Sequence, residues 1–399
     1  MKQELAINGG TPIRTEPLPY AKQWIDDEDC AAVVETLKSD FLTTGPKAKQ
    51  FEQEVAKYVG AKYAVAFANG TAALHGACFA AGVGEGDEVI TTPMTFAASA
   101  NCALFMGAKV VFADIDPRNY NISVESIKEK ITPKTKAIIP VDFGGQSVDI
   151  DSINKLANKH EITVIQDGAH SLGTKYKGNC VGSLTDMTMF SFHPVKTITT
   201  GEGGIICTNN EALYKRLLDF RTHCITRDSS AFINKDKIIG WYYEQQDLGY
   251  NYRLTDIQSA LGISQLKKLP KFAARRKEIV KRYNEDFSKI DGVKLCKNES
   301  FSDTVNHLYV IRLELDKLTA TRDEIYKAFI AEGIGAHVHY IPVYYHPYYE
   351  KLGYKKGLCP NAEELFNCML TLPLFPAMTD KDVTDVIAAA KKILEHYQK

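Results

Sequence analysis

Seven short apolar runs, separated for the most part by stretches of helical pattern, restrict the fold of this chain more than any other feature. They lie at 63–68, 88–91, 110–114, 137–141, 162–166, 187–192 and 204–207. Strands of this kind with helices between most of them point to an α/β architecture built on a doubly wound, mostly parallel, seven-stranded sheet. Near residue 250 the pattern changes to a long helical stretch over 255–287, in which Pro270 predicts a kink. The remainder reads as a smaller α+β domain with the strand VNHLYVIRLEL, the helix TRDEIYKAFIAEG and the closing helix DKDVTDVIAAAKKILEHY. The expected division is a large domain at 1–250 and a small C-terminal domain at 251–399. A chain of 399 residues with 45% apolar content can bury a core of that size.

Charge excludes several function classes. The 48 basic and 49 acidic residues leave a formal net charge of -1, so no global field draws the chain to nucleic acid or to a membrane surface. KFAARRK and KKILEHYQK read as solvated helix faces. The nine cysteines form no CxxC pair, and several sit in apolar runs such as GGIICT. They read as reduced core residues of a cytoplasmic protein, not as disulfides or zinc ligands, and no metal site is expected. MKQELAINGGTP carries no apolar signal region, and no run reaches membrane-spanning length.

The chemistry concentrates in SFHPVKTITTGEGG, where Lys196 lies in a hydroxyl- and glycine-rich loop between two apolar strands. An amine condenses with an aldehyde when it is held near a cofactor, partly desolvated and able to lose its proton near neutrality. Ser191, five residues earlier, and the Thr199-Thr200 pair offer hydroxyls to a phosphate, and Gly201, Gly203 and Gly204 let the backbone approach a ligand. A surface lysine in a polar turn is the ordinary alternative, and distant segments decide against it. In KYAVAFANGTAALHGACFAAG a strand gives way at Asn69-Gly70-Thr71 to a helix start, which suits an anion. ITVIQDGAHS carries Asp167 to the carboxyl edge of a strand, where open α/β sheets bind ligands. A carboxylate there can keep a pyridine nitrogen protonated. His170 reads either as a contact to the ring's phenolic oxygen or as a helix-start histidine satisfied by backbone. Phe96, after the strand-ending TTP, can stack on a flat ring or pack in the core.

Together these segments resemble the DegT/DnrJ/EryC1/StrS family of sugar aminotransferases, which share the aspartate-aminotransferase type of fold, fold type I, and use pyridoxal 5'-phosphate (PLP). The likeness runs nearly end to end, from INGGTPI through FLTTGPKAKQFEQEVAKYVGAKYAVAFANGTAALHGA and SFHPVKTITTGEGG to LGYNYRLTDIQSALGISQLKKL. It implies a PLP-dependent transferase fold in which Lys196 is the catalytic Schiff-base lysine and Asp167 pairs with the ring nitrogen. Phe96 is then the stacking residue, and Gly70, Thr71 and Ser191 hold the phosphate. It also implies that Asn251, in the G-Y-N-Y-R segment, reaches across a homodimer interface to the phosphate of the other subunit. A related branch carries histidine in place of the lysine and removes a hydroxyl; here the lysine is present, and His193 belongs to the ordinary F-H-x-x-K pattern. QDGAH departs from the more usual acidic-Asp-x-Ala pattern and keeps the aspartate.

The resemblance further implies a two-stage amino transfer from L-glutamate to a nucleotide-linked keto sugar, with Lys196 moving the protons. The stretch GIGAHVHYIPVYYHPYY at 333–349 combines aromatic faces with His337, His339 and His346, suited to a sugar or a base ring; packing on the large domain is its other reading. With the flanking KIIGWYYEQQDLGYNYRLTDIQ, the chain looks most like the branch that aminates UDP-linked 4-keto-6-deoxy-N-acetylhexosamines on the way to pseudaminic acid. Candidate substrate contacts are Thr44, Arg253, His339 and Tyr340, Arg253 being equally readable as half of a structural ion pair. The alternatives are a dTDP- or GDP-linked keto sugar, as for a perosamine synthase, and a non-catalytic PLP-binding regulatory protein.

Overall fold

The computed structural model describes residues 3–236 and 239–399; Met1 and Lys2, and Lys237 and Ile238 of the KIIGWYY stretch, lie outside the described residues. One sheet contains β1 (Tyr63–Phe67), β2 (Glu88–Thr91), β3 (Lys109–Phe112), β4 (Thr135–Ile139), β5 (Thr163–Asp167), β6 (Met187–Ser191) and β7 (Gly204–Thr208). Their order is β1-β7-β6-β5-β4-β2-β3. Pairing is parallel from β6 through β5, β4 and β2 to β3, and β7 runs antiparallel to both its neighbours. Parallel strands need a crossover connection, whereas an antiparallel strand is reached directly. The chain at 192–203 makes no helix, so β7 returns beside β6 and the Lys196 loop is left at the carboxyl edge of the sheet.

The seven expected strands are present, with no end displaced by more than two residues. β4 stops before Pro140, which has no N–H to give to the ladder, so the run expected at 137–141 lies too far along the chain. β5 extends through Asp167. Successive side chains point to opposite faces, both of them buried. Val65, Phe67, Val89, Ile139 and Ile165 join the apolar cluster on one face, and Ala64, Ala66, Ile90, Ile138 and Val164 the cluster on the other. That two-sided burial is why the strands read as near-continuous apolar runs.

The helices of this part are α1 (Asp27–Leu37), α2 (Pro46–Val59), α3 (Gly70–Ala80), α4 (Ala98–Phe105), α5 (Val124–Lys130), α6 (Ile150–Lys159) and α7 (Glu211–Phe220). Side chains of α3, α4 and α7 enter the first cluster and those of α2, α5 and α6 the second. The long α8 (Asp256–Phe287) continues as helix through Pro270. Ile263, Leu266 and Leu269 of its first half pack into the second cluster, while Ile279, Val280, Tyr283 and Phe287 enter a third. The start of α2 depends on α8. Its N-cap is Gly45, which offers no side chain, and the buried carboxylate of Asp256 instead accepts the backbone N–H groups of Gly45 and Lys47, each at 2.7 Å.

The third cluster is the core of the C-terminal part. An antiparallel sheet of β8 (Val293–Leu295), β9 (Tyr309–Leu313) and β10 (Met369–Leu372), in that order, packs with α9 (Arg322–Ala331) and the closing helix Asp380–Tyr397. The first residues of the chain join this part: Leu5 and Leu18 are buried in its core. Glu332, itself buried, accepts the N–H groups of Ala6 at 2.9 Å and Ile13 at 3.0 Å and pairs with Lys392 at 2.8 Å. The cysteines are free, and Cys30 is the exposed one. Among the described residues no helix is long and apolar enough to cross a membrane.

Candidate active site

The carboxyl edge of the sheet, the amino end of α3 and the segment at 337–349 enclose a cavity of about 1100 Å³. Its anionic end is built by α3. Asn69 caps the helix, its Oδ1 accepting the Ala72 N–H at 2.8 Å, and Gly70 and Thr71 follow with first-turn N–H groups that have no partner inside the helix. Ser191, from the end of β6, faces this turn. A Cβ added to Gly70 would lie 3.2 Å from the Ser191 Cβ, and one added to Gly204 would lie 2.5 Å from the Asn69 carbonyl oxygen. The two glycines therefore allow β6, β7 and the helix start to close into a cradle. Gly70, Thr71 and Ser191 all line the cavity.

Asp167 is 4% exposed. Its Oδ2 accepts the Ser99 hydroxyl at 2.6 Å and its Oδ1 the Ala169 N–H at 3.0 Å. Burial raises this carboxyl above its ordinary value, while the Ser99 and Ala169 hydrogen bonds and the nearby Lys196 pull it down. Lys196 lines the same cavity, and desolvation lowers its amine to about 8 against the opposing pull of Asp167. An amine at that value sheds its proton close to neutrality. Phe96, 64% exposed, sits at the cavity just before α4 and is therefore not a core residue.

His170 lies in the turn after β5 and not at a helix start, which removes the reading of a helix-start histidine satisfied by backbone. Its Nε2 is 3.0 Å from the Tyr340 hydroxyl, its Nδ1 has no hydrogen-bond partner, and burial drives it well below the ordinary histidine range. The ring is therefore neutral, and it lies 4.5 Å from that of His307. His339 is likewise neutral, pushed down to about 3 mainly by burial, with Nδ1 3.0 Å from the Thr371 hydroxyl. Tyr340 and His339 both line the cavity.

Thr44, Asn251 and Arg253 do not line the cavity of their own chain. Thr44 is exposed, with its hydroxyl turned to the Thr43 carbonyl at 2.7 Å. Asn251 is exposed and bridges by its backbone to Thr222. The Arg253 Nε is buried without a partner. Tyr20, Ser99 and His307 line the cavity and escaped the sequence reading. Ser99 is three residues after Phe96 in FAAS, where its hydroxyl has no recognisable local pattern. Tyr20 arrives by tertiary folding from a segment with no local signal, and His307 from the expected strand VNHLYVIRLEL, where a single histidine in an apolar run reads as packing.

The donor set fits a pyridoxal phosphate. The Gly70 cradle supplies anion donors, a desolvated carboxylate stands ready for a ring nitrogen, and a buried imidazole nitrogen lacks a partner. A model of the DegT/DnrJ/EryC1/StrS aminotransferase family matches residues 23–391. The chain is 43% identical to the spore coat polysaccharide biosynthesis protein SpsC of Bacillus subtilis, over 96% of this chain and 98% of that one. It is 38% identical to the UDP-4-amino-4,6-dideoxy-N-acetyl-beta-L-altrosamine transaminase of Campylobacter jejuni, over 96% and 99%. The PLP form of a putative sugar aminotransferase from Streptococcus pneumoniae superposes with a TM-score of 0.87 at 31% identity, covering 95% of this chain and 99% of that one.

Proposed function

The chain belongs to the DegT/DnrJ/EryC1/StrS aminotransferase family, a PLP-dependent sugar aminotransferase, and from that premise we propose its reaction. It takes an amino group from L-glutamate and gives it to the C4 keto carbon of a UDP-linked 4-keto-6-deoxy-N-acetylhexosamine. The product is UDP-4-amino-4,6-dideoxy-N-acetyl-β-L-altrosamine, for pseudaminic acid synthesis. The chemistry rests on one observation: Lys196 lines the same cavity as the buried carboxylate of Asp167, near enough for each charge to act on the other. The sugar assignment rests on the near full-length likeness to the Campylobacter transaminase.

Bound PLP supplies an electron sink for the carbon that loses its proton. Gly70, Thr71 and Ser191 would hold its phosphate, Asp167 its ring nitrogen, Phe96 its ring face and His170 its phenolic oxygen. Lys196 Nζ removes the proton from the donor Cα in the first half and delivers one to the sugar C4 in the second. His339 and Tyr340 face the cavity where a sugar would lie, and both are uncharged, which suits hydroxyl partners.

A homodimer completes this scheme. Among the described residues that line the cavity, Lys196 is the one lysine or arginine, yet the glutamate carboxylates and a sugar diphosphate carry several negative charges. Thr44, Asn251 and Arg253 lie outside their own cavity, and Phe41, Leu42, Trp241 and Leu248 leave apolar surface exposed. The proposal includes a cofactor-binding part at 1–250, a smaller part at 251–399 and a cytoplasmic location, the last supported by cysteines that are all free. The likeness to SpsC favours a second reading, transfer to another nucleotide-linked keto sugar. The test is an incubation with ¹⁵N-glutamate and the UDP-linked keto sugar. The label is expected on the sugar C4, and its absence there, with transfer to a dTDP- or GDP-linked sugar, establishes the second reading.

A further inference from the structure

Asp142 follows β4 by three residues and is fully buried. A carboxylate taken out of water is expensive unless every lone pair is used. Here the lone pairs are used, most of them by one turn. Oδ2 accepts the Ser171 hydroxyl at 2.5 Å, and the Gln166 Nε2 donates to both oxygens, at 2.9 and 3.0 Å. Oδ1 also accepts the Val148 N–H at 3.0 Å, and the Asp142 backbone N–H donates to the Asp167 carbonyl at 3.1 Å. Gln166 immediately precedes Asp167, and Ser171 immediately follows His170. One carboxylate therefore grips both ends of the turn that presents Asp167 and His170 to the cavity, from the side of the strand that the cavity does not reach.

We propose that Asp142 is a positioning residue for the amino transfer, fixing the 167–171 turn so that Asp167 and His170 are set before any ligand enters. Burial raises its carboxyl to about 7, and the Ser171, Val148 and Gln166 hydrogen bonds oppose that rise. When ionised, the group accepts from donors at both ends at once, whereas an amide of the same shape must turn its N–H2 toward one of them. Side chains fixed by a surrounding shell hold reacting groups in place, and a displacement on the order of 1 Å costs about a hundredfold in rate.

The inference rests on the assignment of Asp167 and His170 to the site, and its test begins without the cofactor. In Asp142→Asn apoprotein, hydrogen exchange of the 167–171 amides is expected to rise about tenfold, while β1 and the C-terminal sheet keep wild-type protection. In the holoenzyme kcat is expected to fall about ten- to a hundredfold, with the glutamate KM changed less than about twofold. Exchange raised evenly over the chain with kcat intact assigns Asp142 to stability alone and overturns the proposal, as does wild-type exchange in the turn. Should Asp142→Asn fail to fold, Ser171→Ala, which opens one end of the clamp, must show the same local exchange and a lower kcat; if it shows neither, the clamp is refuted. Wild-type protein that transfers no amine to any keto sugar would sink the functional reading and leave the apoprotein result standing.

Discussion

The Ser99 hydroxyl donates to Asp167 Oδ2 across 2.6 Å, and its own oxygen is 2.7 Å from the Thr95 hydroxyl. Helix α4 thereby orients the carboxylate that ends β5 and favours its ionised form. Ser99→Ala removes that donor, so the Asp167 carboxyl rises further and its anion is less available to a ring nitrogen. A hydrogen bond to a charged group contributes about 1.5–3 kcal/mol, so the PLP dissociation constant is expected to rise about tenfold or more. Equilibrium dialysis measures it, and an unchanged constant would remove Oδ2 from cofactor binding.

Lys196 titrates at about 8 in the fold, against 10.5 as the ordinary value. Between those values the unfolded chain holds a proton that the folded chain has released, so the stability tied to this residue increases with pH across that window. Below about pH 8 the apoprotein carries the full burden of a desolvated ammonium. Lys196→Met apoprotein is therefore expected to be more stable than wild type near pH 7, with the difference closing toward pH 10.5. Denaturant midpoints across this range check it, and a gap that does not change with pH would mean that the amine titrates normally.

Gly204 passes the Asn69-Gly70 turn without room for a side chain, a Cβ there meeting the Asn69 carbonyl oxygen at 2.5 Å and the Gly70 nitrogen at 2.7 Å. Gly204→Ala must push β7 away from the start of α3. The expected result is loss of PLP retention in protein whose far-ultraviolet circular dichroism remains native. Normal cofactor content in this variant would show that the phosphate lies elsewhere.

Asp256→Ala strips the cap from α2, leaving the Gly45 and Lys47 N–H groups without acceptors at a part-buried helix start. A loss of about 1–3 kcal/mol is expected. Exchange of the 43–48 amides should rise first, and unchanged protection there would show that water replaces the carboxylate at no cost.

The seven strands were readable because both faces of the sheet are buried, and the Lys196 loop because its residues carry recognisable chemistry. Strand ends were readable only to within the reach of local effects, as Pro140 shows for β4. The expected strand VNHLYVIRLEL contracts to Tyr309–Leu313, since pairing with β8 and β10 covers no more of it. What sequence could not supply was pairing at a distance. Tyr340 meets His170 across 170 positions, and Asp256 caps a helix about 210 residues earlier. Asp142 also went unnoticed. A lone aspartate after a strand looks solvated until Gln166 and Ser171 are found on it.

The central claim is tested most directly by following the visible absorption of the PLP-loaded enzyme. Glutamate should abolish the band of the lysine-linked cofactor, and a UDP-linked 4-keto-6-deoxy-N-acetylhexosamine should restore it, while dTDP- and GDP-linked 4-keto sugars leave it absent. Restoration by a dTDP- or GDP-linked sugar instead would contradict the substrate assignment, and a band unmoved by glutamate would contradict the proposed amino donor.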